Sequence, residues 1–135
     1  MLKFKVIPKK NPISQAVAYY AQKVDTTRVS FDDLCDRVAH STTATRADAK
    51  AVVDEFCHQV LQILLDGKSV SIGDLGSFHT TLKNKKNGAA SADKFDASMI
   101  ENVMVRWVRP TVMRREFKPG TGSVRFERVD KVKQP

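Results

Sequence analysis

Residues 45–66, "TRADAKAVVDEFCHQVLQILLD", constrain the fold more than any other stretch of this chain. Val53, Phe56, Cys57, Val60, Leu61 and Leu64 recur at helical spacing, and Val52, Ile63 and Leu65 widen the stripe. A surface helix needs an apolar arc of roughly 100°, and this one is broader. The expectation is a helix that buries two faces, one against its own domain and one against a partner chain. Thr45 and Asp48 open it in the pattern of a capping box. Gly67 supplies the left-handed residue that closes it.

A shorter helix precedes it. Ser30 and Asp33 form a similar start, and Phe31, Leu34, Cys35, Val38 and Ala39 follow at i, i+3, i+4, i+7 and i+8, ending near His40. The intervening "STTAT" is a loop. Beyond Gly67 the period changes to two: residues 68–72 and 75–83 read as a hairpin joined at Gly73 and Asp74, with Val70, Ile72, Phe78, Thr80 and Leu82 alternating. The second run passes into Lys83, Lys85 and Lys86. Residues 84–97 are small and polar and predict a flexible loop. "VMVRWVR" (103–109) is a strand with Val103, Val105 and Trp107 on one side and Arg106 on the other.

A short helix is expected after Pro110, up to about Phe117. At the amino end, "LKFKVI" alternates apolar and lysine residues as a half-buried strand does, and Pro8 and Pro12 are expected to break it. Residues 16–24 predict a second strand. Val124, Phe126 and Val129 predict a last one. The fold class is α+β, and residues 2–7 and 17–24 are expected to be ordered.

Composition narrows the function. The 135 residues, 41% of them hydrophobic, are enough for one domain with its own core. No run approaches the ~18 apolar residues of a membrane span, and "MLKFKVIPKKNP" has no apolar segment of a secretory signal. The location expected is cytoplasmic. Cys35 and Cys57 both fall on apolar helix faces, with no metal-type spacing, and are expected as buried reduced thiols. His40, His58 and His79 lie far apart in sequence. No metal, cofactor or small-molecule substrate is expected. Asp32, Asp33 and Asp36 form the densest acidic cluster, but a helix start explains it, and no phosphate loop or nucleophile motif accompanies it. Enzyme chemistry is therefore the weakest reading.

Charge points elsewhere. Residues 1–66 carry 9 Lys/Arg against 8 Asp/Glu, whereas residues 67–135 carry 14 against 7. A one-sided cationic excess fits a polyanion partner, nucleic acid or acidic lipid.

The order helix, loop, long helix, Gly-Lys, hairpin, basic segment and returning strand resembles the bacterial histone-like HU family, which includes integration host factor. The resemblance is most specific in "LLDGKSVSIGDLGSFHTTLKNKK", where Gly73-Asp-Leu-Gly76-Ser77-Phe78 matches the family's Gly-x-x-Gly-(Ser/Thr)-Phe turn. Pro110, followed by Phe117-Lys118-Pro-Gly120, is a second match. It covers roughly residues 28–120, leaving 1–27 as an N-terminal strand extension and 121–135 as a C-terminal strand and tail, as in a longer variant of the family.

The resemblance implies an intertwined homodimer that binds double-stranded DNA with little sequence preference, as a nucleoid-associated architectural protein. It implies that Gly73 and Gly76 permit a bend that a Cβ would obstruct, and that Phe78 points into the dimer core. Lys83, Lys85 and Lys86 would sit where the DNA-binding arm begins, Arg106 and Arg109 on the returning strand, and Lys118 at the Phe-Lys position. The sequence departs from the family at the arm tip: residues 80–109 contain no proline, so no proline wedge between base pairs is available. A protein-interaction module that has lost the arm's chemistry is the competing reading, kept open by that tip and by Tyr19 and Tyr20.

Overall fold

The computed structural model describes residues 1–24 and 27–130. The chain is mixed α+β and divides into two contact units, one of residues 1–29 with 114–135 and one of residues 30–113.

In the first unit, β1 (Leu2–Lys10) pairs antiparallel with β2 (Val17–Lys23) and parallel with β6 (Phe126–Arg128), in the order β2-β1-β6. The two ends of the sequence thus share one sheet. The strand does not break at Pro8, which stays in register opposite Tyr19. The reason lies in which edge each backbone group faces. Lys3 uses its carbonyl toward β2, accepting from Val24 N–H, whereas Leu2 N–H donates to Arg125 O and Phe4 O accepts from Val129 N–H on the β6 side. Even-numbered residues of β1 therefore address β6. That strand is only three residues long, so Pro8 lacks a donor where, among the described residues, no strand stands to receive one. Between them, Val6 N–H donates to the Asp130 carboxylate at 3.0 Å, which takes over where the β6 ladder stops. The turn from β1 to β2 is built on Asn11, whose side-chain oxygen accepts from the Ile13 and Ser14 amides at 2.8 and 3.2 Å.

The second unit begins with α1 (Phe31–His40) and α2 (Arg46–Leu65). Ser30 Oγ accepts from Asp33 N–H at the start of α1, and Thr45 with Asp48 forms a complete capping box at the start of α2. The carboxylates also sit favourably at the positive helix ends. At the far end of α2, Gly67 has φ +77°. Its N–H donates to Leu64 O and that of Lys68 to Ile63 O, the bonding pattern that satisfies last-turn carbonyls through a left-handed glycine. Where α1 meets α2, Cys35 and Ala49 are buried, and ion pairs run from Arg46 to Asp36 (2.5 Å) and from Lys50 to Asp32 (3.2 Å).

The sheet of this unit has the order β3-β4-β5: β3 (Val70–Ser71), β4 (Ser77–Asn84) and β5 (Ile100–Val108). The first hairpin strand is much shorter than its alternation predicts, because a 3-10 turn over Gly73–Leu75 takes up the chain. The returning strand starts at Ile100 rather than Val103, and a bulge at Glu101 absorbs the extra residue, with Lys83 opposite Asn102 and Asn84 opposite Ile100. Two short 3-10 turns, Ala92–Lys94 and Ala97–Met99, interrupt the loop expected to be flexible. α3 (Thr111–Glu116) follows Pro110.

Few side chains are shielded. Among the described residues the only buried side chains are those of Cys35 and Ala49, at 1% and 3% exposure, and the one other buried residue is Gly76. Cys57, expected to be buried like Cys35, is exposed. It belongs to the part of the wide α2 stripe that this chain does not cover, together with Val52, Phe56, Leu61 and Leu65. Burial holds the Cys35 thiol above its ordinary pKa, assisted by the nearby Asp54 and Asp32 carboxylates.

Candidate nucleic-acid interface

The glycine pair sets the geometry of the second sheet, but the two glycines act differently. Gly73 has φ +56° and open space around the Cβ position, so its requirement is conformational alone. Gly76 has φ +98°, and a Cβ there would run into Val108 O and lie 2.8 Å from Trp107 Nε1. Obstruction by a side chain, expected at both glycines, therefore applies to Gly76 only. The close approach lets the Trp107 indole N–H donate to Leu75 O at 2.7 Å, locking the turn onto β5.

Residues opposite each other on antiparallel strands share a face. Phe78 lies opposite Trp107, Thr80 opposite Val105, and Leu82 opposite Val103, which makes one face apolar. Trp107, Val105, Val103 and Leu82 on that face are all about half exposed or more. Phe78 is half-buried.

The opposite face pairs His79 with Arg106, Thr81 with Met104 and Lys83 with Asn102. Arg106 and Lys83 therefore stand on the same face, separated by four residues of strand, about 13 Å. The Arg106 guanidinium reaches along the strand to the Met104 sulfur at 3.6 Å. Lys83 is not free: its Nζ lies 3.3 Å from the carboxylate of Glu101, the bulged residue. Both partners are about half exposed, so the pair is weak and a phosphate could displace it. Lys85 and Lys86 follow β4 and are exposed, with the ladder carried one step further by Lys85 N–H donating to Met99 O. Arg109 is exposed just past β5, beside Pro110. Lys118 belongs to the other unit, apart from these five in the contact division.

The sequence partition of charge changes once the units are known. Residues 30–113 carry 10 Lys/Arg against 11 Asp/Glu, a net of −1, whereas residues 1–29 with 114–135 carry 13 against 4, a net of +9. Of the +7 carried by residues 67–135, +4 belongs to residues 114–135 and +3 to residues 67–113. Lys3, Lys5 and Lys9 alternate along one face of β1 and are exposed. In "LKFKVIPKK" they are the polar half of the same alternation whose apolar half is Leu2, Phe4 and Val6.

Comparison with protein families gives a match over residues 1–128 to the family described as "HU domain fused to wHTH, Ig, or Glycine-rich motif", HU-HIG. The chain belongs to the HU-HIG family. The span matched begins at residue 1 and takes in both terminal strands paired with β1. A search of curated proteins returns no match. Among solved structures, a crystal structure of a candidate bacterial DNA-binding protein from Bacteroides vulgatus ATCC 8482 aligns with a TM-score of 0.67 at 16% identity, covering 98% of this chain and 50% of that one. At this identity the likeness is one of fold, and this HU-HIG chain spans half the length of that protein. No helix among the described residues is long and apolar enough to cross a membrane.

Proposed function

We propose that this HU-HIG protein is a homodimeric, largely sequence-independent DNA-binding protein of the bacterial nucleoid, carrying its HU-like DNA-binding segment within residues 28–120. The observation that carries this reading is the sorting of the β4–β5 sheet. Its apolar face is left open for a second copy, while Lys83 and Arg106 stand on the other face with Lys85 and Lys86 beyond it and Arg109 at its base. Cationic groups of this kind neutralise phosphates and release counterions, giving affinity without base readout. The description of the Bacteroides vulgatus protein as a candidate DNA-binding protein supports the same reading.

The test is a titration of duplex DNA at several salt concentrations. Changing Lys83, Lys85 and Lys86 to Ala should weaken binding to all duplexes alike and flatten the plot of log affinity against log salt by roughly 0.9 per lost contact. The loss should be nearer two contacts per chain than three, because Lys83 must first leave Glu101. Bending should be weaker than in relatives whose arm carries a proline wedge.

The net −1 of residues 30–113 favours one competing reading, a protein-interaction module. Failure of the parent protein to bind duplex DNA at low salt would select it.

A further inference from the structure

We infer that the lysine face of the β2-β1-β6 sheet is a second surface for the phosphate backbone of duplex DNA, and that it supplies more of the electrostatic affinity than residues 30–113. This rests on the DNA-binding reading above and goes beyond it, since neither the HU-like resemblance of residues 28–120 nor the arm geometry involves this sheet.

The register of β1 sorts its side chains. Leu2, Phe4 and Val6 take one face, where Leu2, Phe4, Ala21 and Phe126, with Lys3 and Lys23, line a mainly apolar cleft. Lys3, Lys5 and Lys9 take the other and are exposed. Gln22 stands opposite Lys5 and Tyr20 opposite Ile7 on that face, and the Lys9 ammonium lies over the Tyr20 ring at 5.7 Å from its centre. Lysines two residues apart on a strand repeat about every 6.7 Å. From Lys3 to Lys9 the row spans about 20 Å, roughly six base-pair rises at 3.4 Å.

An ordinary solvated sheet face would carry compensating acids. Among the described residues, two acids of the unit are engaged elsewhere. Glu116 is held by Ser123 and Arg115, and Asp130 by Val6 N–H and Arg128. Both carboxyls lie below their ordinary pKa for that reason, Glu116 through Ser123 first and Asp130 through the Val6 amide first. Glu127 is level with Lys3 on the neighbouring strand. Among the described residues, Lys3, Lys5 and Lys9 form no ion pair. In a unit of net +9 the row keeps a cationic excess, with Glu127 beside Lys3 as its neighbouring acid among the described residues. The other unit, at net −1, has no comparable excess.

The experiment compares three full-length proteins on one duplex across salt concentrations: the parent, a K3A/K5A/K9A variant, and a K23A/K68A/K94A control that removes equal charge from other surfaces. The first variant should flatten the salt slope by up to about 2.7 per chain, at roughly 0.9 for each contact, and the control by much less. Amide NMR shifts of the parent on adding duplex provide a second readout that needs no substitution, with changes expected at residues 3–9 and 18–22. Equal effects in variant and control, or a parent that binds with those amides unmoved, would overturn this inference and leave DNA binding by the other unit standing. A parent that does not bind duplex DNA at low salt removes both.

Discussion

Gly76 and Gly73 occupy one short turn, yet substitution should separate them. Gly76→Ala meets a carbonyl, an indole and the Pro110 ring, while also holding φ at +98°. The loss expected is about 3 kcal/mol or failure to fold, combining strain and overpacking. Gly73→Ala has only its left-handed φ to overcome, about 1–2 kcal/mol. Urea midpoints of the two variants check this, and similar losses would mean the turn moves freely. Asp130 supplies a prediction in pH. Its carboxyl is held below the ordinary value by the Val6 amide and by Arg128, so the stabilisation is fully present above the unfolded pKa of about 3.9. It is lost as pH falls through the lower folded value. The Val6 amide shift, followed by NMR in acid, should titrate with a midpoint below that of a free aspartate and should stop titrating in Asp130→Asn.

At the scale of elements, what was legible in the sequence is what local chemistry decides. Ser30, Thr45 and Gly67 mark helix ends through bonds within a few residues, and spacing alone revealed them. Thr45→Ala should cost about 1 kcal/mol, read as a lowered denaturant midpoint with α2 otherwise intact. The misread strands depended on partners distant in sequence. Pro8 fits because the described part of β6 stops short of it, and Ile100 joins β5 because Glu101 bulges out. No window of neighbouring residues contains either fact. The site divides the same way: Arg106 opposite the apolar row was legible from alternation, whereas the Lys83–Glu101 pair required the register. The lysine row of β1 was visible as letters, but its weight appeared only when the chain ends proved to share a sheet and the charge could be assigned by unit.

For the whole molecule, the sparse burial of residues 30–113 supports the proposed dimer. Leu61 and Leu65 on α2 are 54% and 71% exposed, and Val105 and Trp107 on the sheet are 58% and 48% exposed. Exposed apolar side chains scattered singly need no explanation, but contiguous ones mark an interface or an aggregation site. A helix stripe and a sheet face, both apolar and both open in the same unit, can cover each other when two copies interlock. Obligate homodimer interfaces resemble a core cut in half, and a unit whose only buried side chains among the described residues are Cys35 and Ala49 fits that description. Folding should then depend on concentration, with the melting temperature rising as protein is added. Sedimentation at low micromolar concentration should give about 30 kDa, twice the 15.1 kDa of one chain. Leu61→Glu, which places a charge on the open part of the stripe, should cost both the dimer and the fold of this unit, because an unpaired carboxylate would have to be buried. If that variant remained a well-folded 15 kDa species, the open faces would belong to some other partner, and the homodimer would fall.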